Sequence, residues 1–115
     1  MVETIYHITE VEQWQDARIN GEYQPKQFID DGFIHCSYKH QLIRVANHLF
    51  KGQNNLVILA IDSQKIASII VTENLEGGTE LFPHIYGKLP LNAVLNVSEL
   101  SINVDGTFYL PRELY

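Results

Sequence analysis

The amino-acid sequence predicts a single α+β domain: a mostly antiparallel sheet with two helices. Three observations carry this expectation. The helical periodicities fall in the first half and the strand-like segments crowd the second. The order is therefore strand, helix, short strand, helix and then strands, unlike the regular βαβ alternation of a parallel sheet. The 115 residues are 45% hydrophobic, the size and composition of one domain that buries a core without staples. No internal repeat or low-complexity linker divides the chain.

Each element has its own signal. Residues 2–8 alternate, with Ile5 and His7 on one face and Tyr6 and Ile8 on the other. Thr9 stands three residues before Glu12, a spacing at which hydroxyl and carboxylate satisfy free amides at a helix start. A helix is expected over residues 10–20, with Val11, Trp14, Ala17 and Arg18 on one face and Gly21 in the left-handed position that ends it. Pro25 biases Gln24 toward extended backbone, so residues 22–24 read as a connector or short edge strand. Asp30-Asp31-Gly32 reads as a turn into a short strand over 33–36, where Phe33 and His35 share one side and Ile34 and Cys36 the other. Ser37 is the expected N-cap of the second helix, which carries Leu42, Val45, Ala46 and Leu49 on one face and stops at Gly52.

Residues 55–62 are nearly all apolar and rich in β-branched side chains, as a central strand buried on both faces requires. Residues 68–73 read as a further strand and Glu76-Gly77-Gly78 as a turn. The segment 82–91, punctuated by Pro83, Gly87 and Pro90, is expected to be irregular. Alternation over 93–103, then Asp105-Gly106 before residues 107–110, predicts a closing hairpin.

Charge and composition narrow the function. Eight basic against fourteen acidic residues give a net charge of −6, which argues against a broad footprint on nucleic acid. The single cysteine, Cys36, forms no internal disulfide, and the opening residues lack the basic and then apolar regions of a signal peptide. No apolar run approaches the roughly 20 residues that span a bilayer. A cytoplasmic protein with no membrane partner is expected. Gly77-Gly78 is followed by neither Lys-Ser nor Lys-Thr, so no Gly-rich phosphate loop is present.

Three of the five histidines lie in apolar or aromatic settings: His7 in Ile5-Tyr6-His7-Ile8-Thr9, His35 in Asp31-Gly32-Phe33-Ile34-His35-Cys36-Ser37, and His84 in Phe82-Pro83-His84-Ile85-Tyr86-Gly87. Imidazole changes charge near neutral pH, so these three are candidate ligand-binding groups expected to share one cleft. A histidine in such a strand equally serves as a hydrogen-bonded core residue. Thr9, Phe33, Ser37 and Tyr86 complete the candidate ligand-binding set. Phe33 and Tyr86, with Phe82, offer ring faces, and Ser37 at a helix amino terminus would present amides to phosphate. Zinc needs three or four converging ligands. These histidines come from separate segments without His-Glu-x-x-His or Cys-x-x-Cys spacing, so no metal is expected. Strand alternation turns Cys36 away from His35 and reads as a buried structural thiol.

These runs, together with Trp14, Ala17, Gly21, Tyr23, Gln41 and Leu89-Pro90-Leu91, resemble the bacterial family catalogued as domain of unknown function 952, over nearly the whole chain. That family has no established activity. The resemblance implies a fold similar to ADP-ribosyltransferases, in which a split sheet and flanking helices form an NAD cleft. It implies NAD or ADP-ribose as the small-molecule ligand, with NAD a substrate and not a resident cofactor. On this resemblance His7 corresponds to the first-strand histidine that holds the adenosine ribose of NAD in the diphtheria-toxin and poly-ADP-ribose-polymerase group. Cleaving the nicotinamide–ribose bond needs a negative charge near the sugar and an aromatic platform. Glu73 and Glu80 are the candidate catalytic carboxylates, and neither lies in a clear version of the later motifs. The alternative is a binding module that holds a nucleotide or another small ligand without turning it over.

Overall fold

The computed structural model describes residues 3–74 and 78–115; the expected turn at Glu76-Gly77 lies outside them. In chain order the elements are β1 (Thr4–Glu10), α1 (Val11–Asn20), β2 (Glu22–Tyr23), α2 (Phe28–Asp31), β3 (Ile34–His35), α3 (Leu42–Leu49), β4 (Leu56–Asp62) and β5 (Ile69–Glu73). They continue as β6 (Phe82–Tyr86), β7 (Leu89–Pro90), β8 (Val94–Glu99), β9 (Ser101–Ile102) and β10 (Phe108–Tyr109). Among the described residues two three-stranded sheets, β1-β4-β8 and β3-β6-β5, and two short ladders, β2-β7 and β9-β10, are all antiparallel. The chain is an α+β domain. Among the described residues no helix is long and apolar enough to cross a membrane.

Strand β4 is the common wall of two cores. All seven of its residues are buried. Val57, Leu59 and Ile61 face a cluster with Ile5, Ile34, Ile85 and Leu89, while Leu56, Ile58 and Ala60 face a second with Tyr6, Leu42, Ala46 and Phe108. This two-sided burial explains why residues 56–61 carry no polar side chain: each Leu or Ile so enclosed contributes about 1.5–3 kcal/mol of transfer free energy. The alternation expected of the first strand holds, Ile5 packing into the first cluster and Tyr6 and Ile8 into the second.

The two large sheets are joined by an isolated bridge. Tyr6 N–H donates to the Ser37 carbonyl at 2.8 Å and Ser37 N–H to the Tyr6 carbonyl at 2.7 Å. From there β1 runs on to Glu10 while the chain of β3 leads back to Phe33, and among the described residues no further ladder joins them. The sheet therefore splits at Tyr6–Ser37.

Three sequence expectations are corrected. Thr9 does not cap α1: β1 continues through Glu10, which flanks the helix in extended backbone without a side-chain cap, and Thr9 is held in the ladder opposite Val57. Ser37 does not cap the second helix. The bridge to Tyr6 claims its backbone, a 3₁₀ turn over Lys39–Gln41 intervenes, and α3 begins at Leu42. Of the segment 82–91 expected to be irregular, residues 82–86 are instead β6, the central strand of its sheet, and Leu89–Pro90 are β7, while Gly87 and Lys88 lie outside any strand. Pro83 is tolerated in β6 because its carbonyl accepts from Cys36 N–H at 2.9 Å, which puts the missing N–H on the same flank, where the β3 ladder ends.

Two glycines are required by geometry. Gly32, at φ 78°, ends the single turn α2 with its N–H on the Phe28 carbonyl and directs the chain into β3, so the expected Asp30-Asp31-Gly32 turn is the end of a short helix. At Gly87 a Cβ would lie 2.0 Å from Ser68 Oγ, so the approach of β6 to the start of β5 excludes any side chain.

Candidate functional site

Where β1 and β3 part, a cavity of about 400 Å³ opens. Strand β1 supplies His7, Thr9 and Glu10 to its walls, and Phe33, His35 and Ser37 come from the opposite segment. Helix α3 closes one side with Val45 and Leu49. Five of the seven candidate ligand-binding residues thus meet there: His7, Thr9, Phe33, His35 and Ser37. His84 and Tyr86 are not in its walls.

The floor is a directed hydrogen-bond chain. His7 Nδ1 lies 2.6 Å from the His35 carbonyl and Nε2 lies 2.7 Å from the Tyr23 hydroxyl. A carbonyl only accepts, so Nδ1 carries the proton and Nε2 accepts from Tyr23 O–H. Burial is the main reason that His7 titrates near pH 4, below its ordinary 6.5, and burial likewise pushes the Tyr23 phenol up. His7 is therefore a neutral spacer between the parting strands. Both of its ring nitrogens are already committed to the protein.

A second cluster lies behind Phe33 on the outer face of the β3-β6-β5 sheet. Phe33 stacks on His84 with ring centroids 4.1 Å apart, and His35 lies 5.1 Å from His84, as their cross-strand pairing dictates. His84 Nδ1 lies 2.9 Å from Glu73 Oε1, and Tyr86 O–H donates to the same carboxylate oxygen. Hydrogen bonds from Tyr86 and then His84 hold the Glu73 carboxyl below its ordinary range. Glu80, the other candidate carboxylate, is clamped by Arg44 at 2.5 and 2.6 Å and by Gln41 at 3.1 Å, with its carboxyl held at about 2, mainly by the Arg44 hydrogen bonds. Neither glutamate lines the cavity, and both are engaged by neighbouring side chains.

Cys36 is buried, its thiol pushed up by burial, which fits the structural role expected of it. Among the described residues no group of three or more His, Cys, Asp or Glu side chains is placed to hold a metal ion.

Sequence reasoning missed Glu10, Gln13 and Asp31 as cavity walls. It also missed Tyr23 as the hydroxyl that fixes His7. The signal for α3 was present but incomplete. Leu42 and Ala46 of its apolar stripe are fully buried, while Val45 and Leu49 of the same stripe face the cavity.

The fold and site define a class: an antiparallel α+β domain whose sheet splits at one backbone bridge, with a neutral buried histidine spanning the gap. The family described as "Protein of unknown function (DUF952)" matches residues 8–97, and the chain belongs to it. It is similar to protein CC0527 from Caulobacter crescentus, whose crystal structure is 32% identical and aligns with a TM-score of 0.86 over 97% of this chain and 98% of that one. A double methionine mutant of CC0527 gives the same values, and its solution NMR structure aligns with a TM-score of 0.78 over 90% of each chain. No curated protein matches the chain.

Proposed function

We propose that this chain is a nucleotide-pocket protein of ADP-ribosyltransferase-like architecture whose cleft takes NAD or ADP-ribose. The observation that carries the reading is the split at Tyr6–Ser37, with the first-strand histidine His7 in the gap and a cavity of about 400 Å³ beside it. That volume lies in the range of small-molecule sites. The walls include Glu10 and Asp31 but neither lysine nor arginine. Such a lining suits ribose hydroxyls, which donate to carboxylates, and the positively charged pyridinium ring of NAD, with Phe33 as its platform. The phosphates belong in the adjoining cavity of about 240 Å³, which shares His35, Val45 and Leu49 and adds Arg44 and His48. Arg44 spends part of its donor fork on Glu80 and retains further N–H groups.

Binding without turnover is the expected behaviour, because neither Glu73 nor Glu80 reaches the cavity. A transferase is the second reading, favoured by the carboxylates of Glu10 and Asp31 in the walls. Calorimetric titration with NAD and with ADP-ribose tests the proposal. Val45→Trp, which fills the cavity from α3, is expected to weaken binding by roughly tenfold or more. No heat from either ligand up to millimolar concentration removes the nucleotide reading. Release of nicotinamide from NAD replaces the binding module with the transferase.

A further inference from the structure

His84 is buried at 3% exposure, and its Nε2 is a buried polar atom with no hydrogen-bond partner. Such an orphan carries a standing desolvation cost, and a buried group left in this state calls for an explanation. The orientation of the ring is fixed. Glu73 is a carboxylate without a proton to give, so the 2.9 Å bond is Nδ1–H donating to Glu73, and Nε2 is left as the free nitrogen. Nε2 is therefore a buried nitrogen awaiting a hydrogen-bond partner.

Glu73 is on β5 and His84 on β6, with β3 on the other flank. The two ring nitrogens diverge, so with Nδ1 on Glu73 the Nε2 atom is directed away from that carboxylate. Phe33 lies stacked on the face of the His84 ring at 4.1 Å and His35 stands 5.1 Å away, and both are cavity walls, so the ring lies directly behind the cavity lining. A half-buried phenylalanine side chain is thus the cover between the His84 ring and the cleft.

We propose that His84 is a ligand-binding residue of this cleft: when Phe33 turns aside, its Nε2 forms a hydrogen bond with a ribose hydroxyl of the bound nucleotide, with Glu73 as the positioning residue that holds the ring. The inference rests on the nucleotide reading above. It accounts for the Glu73–His84–Tyr86 cluster, which the cavity walls alone leave without a role.

The test is acylation of the intact protein by diethyl pyrocarbonate, which reacts with unprotonated imidazole nitrogens, followed by tryptic mass mapping with and without ADP-ribose. Each histidine falls in a tryptic peptide of its own, His84 in 66–88, His35 in 27–39 and His7 in 1–18. His7, with both nitrogens occupied, reacts only through unfolding and is the internal reference. Opening at Phe33 predicts that His84 reacts roughly tenfold or more faster than His7, faster again in Phe33→Ala, and is protected together with His35 by ADP-ribose. The comparison with His7 and the protection are both read in the wild-type protein, so they stand even if Phe33→Ala folds poorly. Reaction of wild-type His84 no faster than His7 makes it a sealed core residue and overturns the inference. Protection of His35 but not His84 overturns it while leaving the nucleotide reading intact. Protection of neither removes the nucleotide reading, and the inference falls with it.

Discussion

Lowering the pH from 6.5 to 4 isolates His7. In the folded protein its imidazole titrates near 4, against 6.5 in an unfolded chain, because burial disfavours the cation. Above pH 6.5 the ring is neutral in both states and its full contribution to stability is present. As the pH falls, the unfolded chain takes the proton first, so stability drops until about pH 4, below which both states carry it. The gap between the two values corresponds to a loss of about 3 kcal/mol, a large part of the 5–15 kcal/mol typical of a domain. Urea denaturation across this range, on the wild type and on His7→Gln, provides the assay. At pH 7 the variant should be less stable by about 1–3 kcal/mol, because Tyr23 and the His35 carbonyl lose a buried partner. Toward pH 4 the difference should shrink or reverse, since only the wild type carries the titrating ring. Glu73 and Glu80, whose carboxyls are held below their ordinary values, contribute stability that is lost as the pH falls below 4.5, and they do so equally in both proteins. A difference between the two proteins that stays constant from pH 6.5 to 4 would refute the assignment of His7 as a buried neutral spacer.

Leu59→Ala, which removes a fully buried side chain from the central strand, should cost about 2–5 kcal/mol in the same denaturation assay. Gly87→Ala should cost about 1–3 kcal/mol, because the new methyl meets Ser68 Oγ at 2.0 Å and Ser68 Cβ at 2.6 Å. Ser68→Gly, but not Ser68→Ala, should relieve that clash, and equal rescue by both would show that the hydroxyl alone is responsible. Cys36 should resist thiol reagents in the native protein and react on unfolding; rapid modification of folded protein would contradict its burial.

What the sequence made legible was periodicity. The two-sided apolar run of β4 and the alternation of β1 were readable because burial on both faces or on one leaves an unmistakable pattern. The β9–β10 hairpin followed from Asp105-Gly106, with Phe108 paired to Ile102. The misreadings have local causes. Thr9 and Ser37 are residue types that cap helices, but tertiary pairing with Val57 and Tyr6 took their backbones first. Pro83 and Gly87 suggested irregular backbone where β6 runs from Phe82 to Tyr86, since their tolerance depends on which flank the missing N–H faces and on how close Ser68 lies. Of the site, the residues on one alternating face were found, and those brought in by the split, Glu10 and Asp31 among them, were not.

The central position of β4 also bears on how the chain reaches its native state. Its partners lie far along the sequence in both directions, Thr4 opposite Asp62 on one side and Val57 opposite Glu99 on the other. Neither ladder forms until a long loop has closed, and loop-closure entropy precedes any reward from burial. During synthesis β1 therefore waits unpaired until β4 has emerged, and the helical hairpin of local contacts that would speed assembly is lacking between them. Folding of this domain should be slow for its length, with β4 as the element whose docking commits both cores at once.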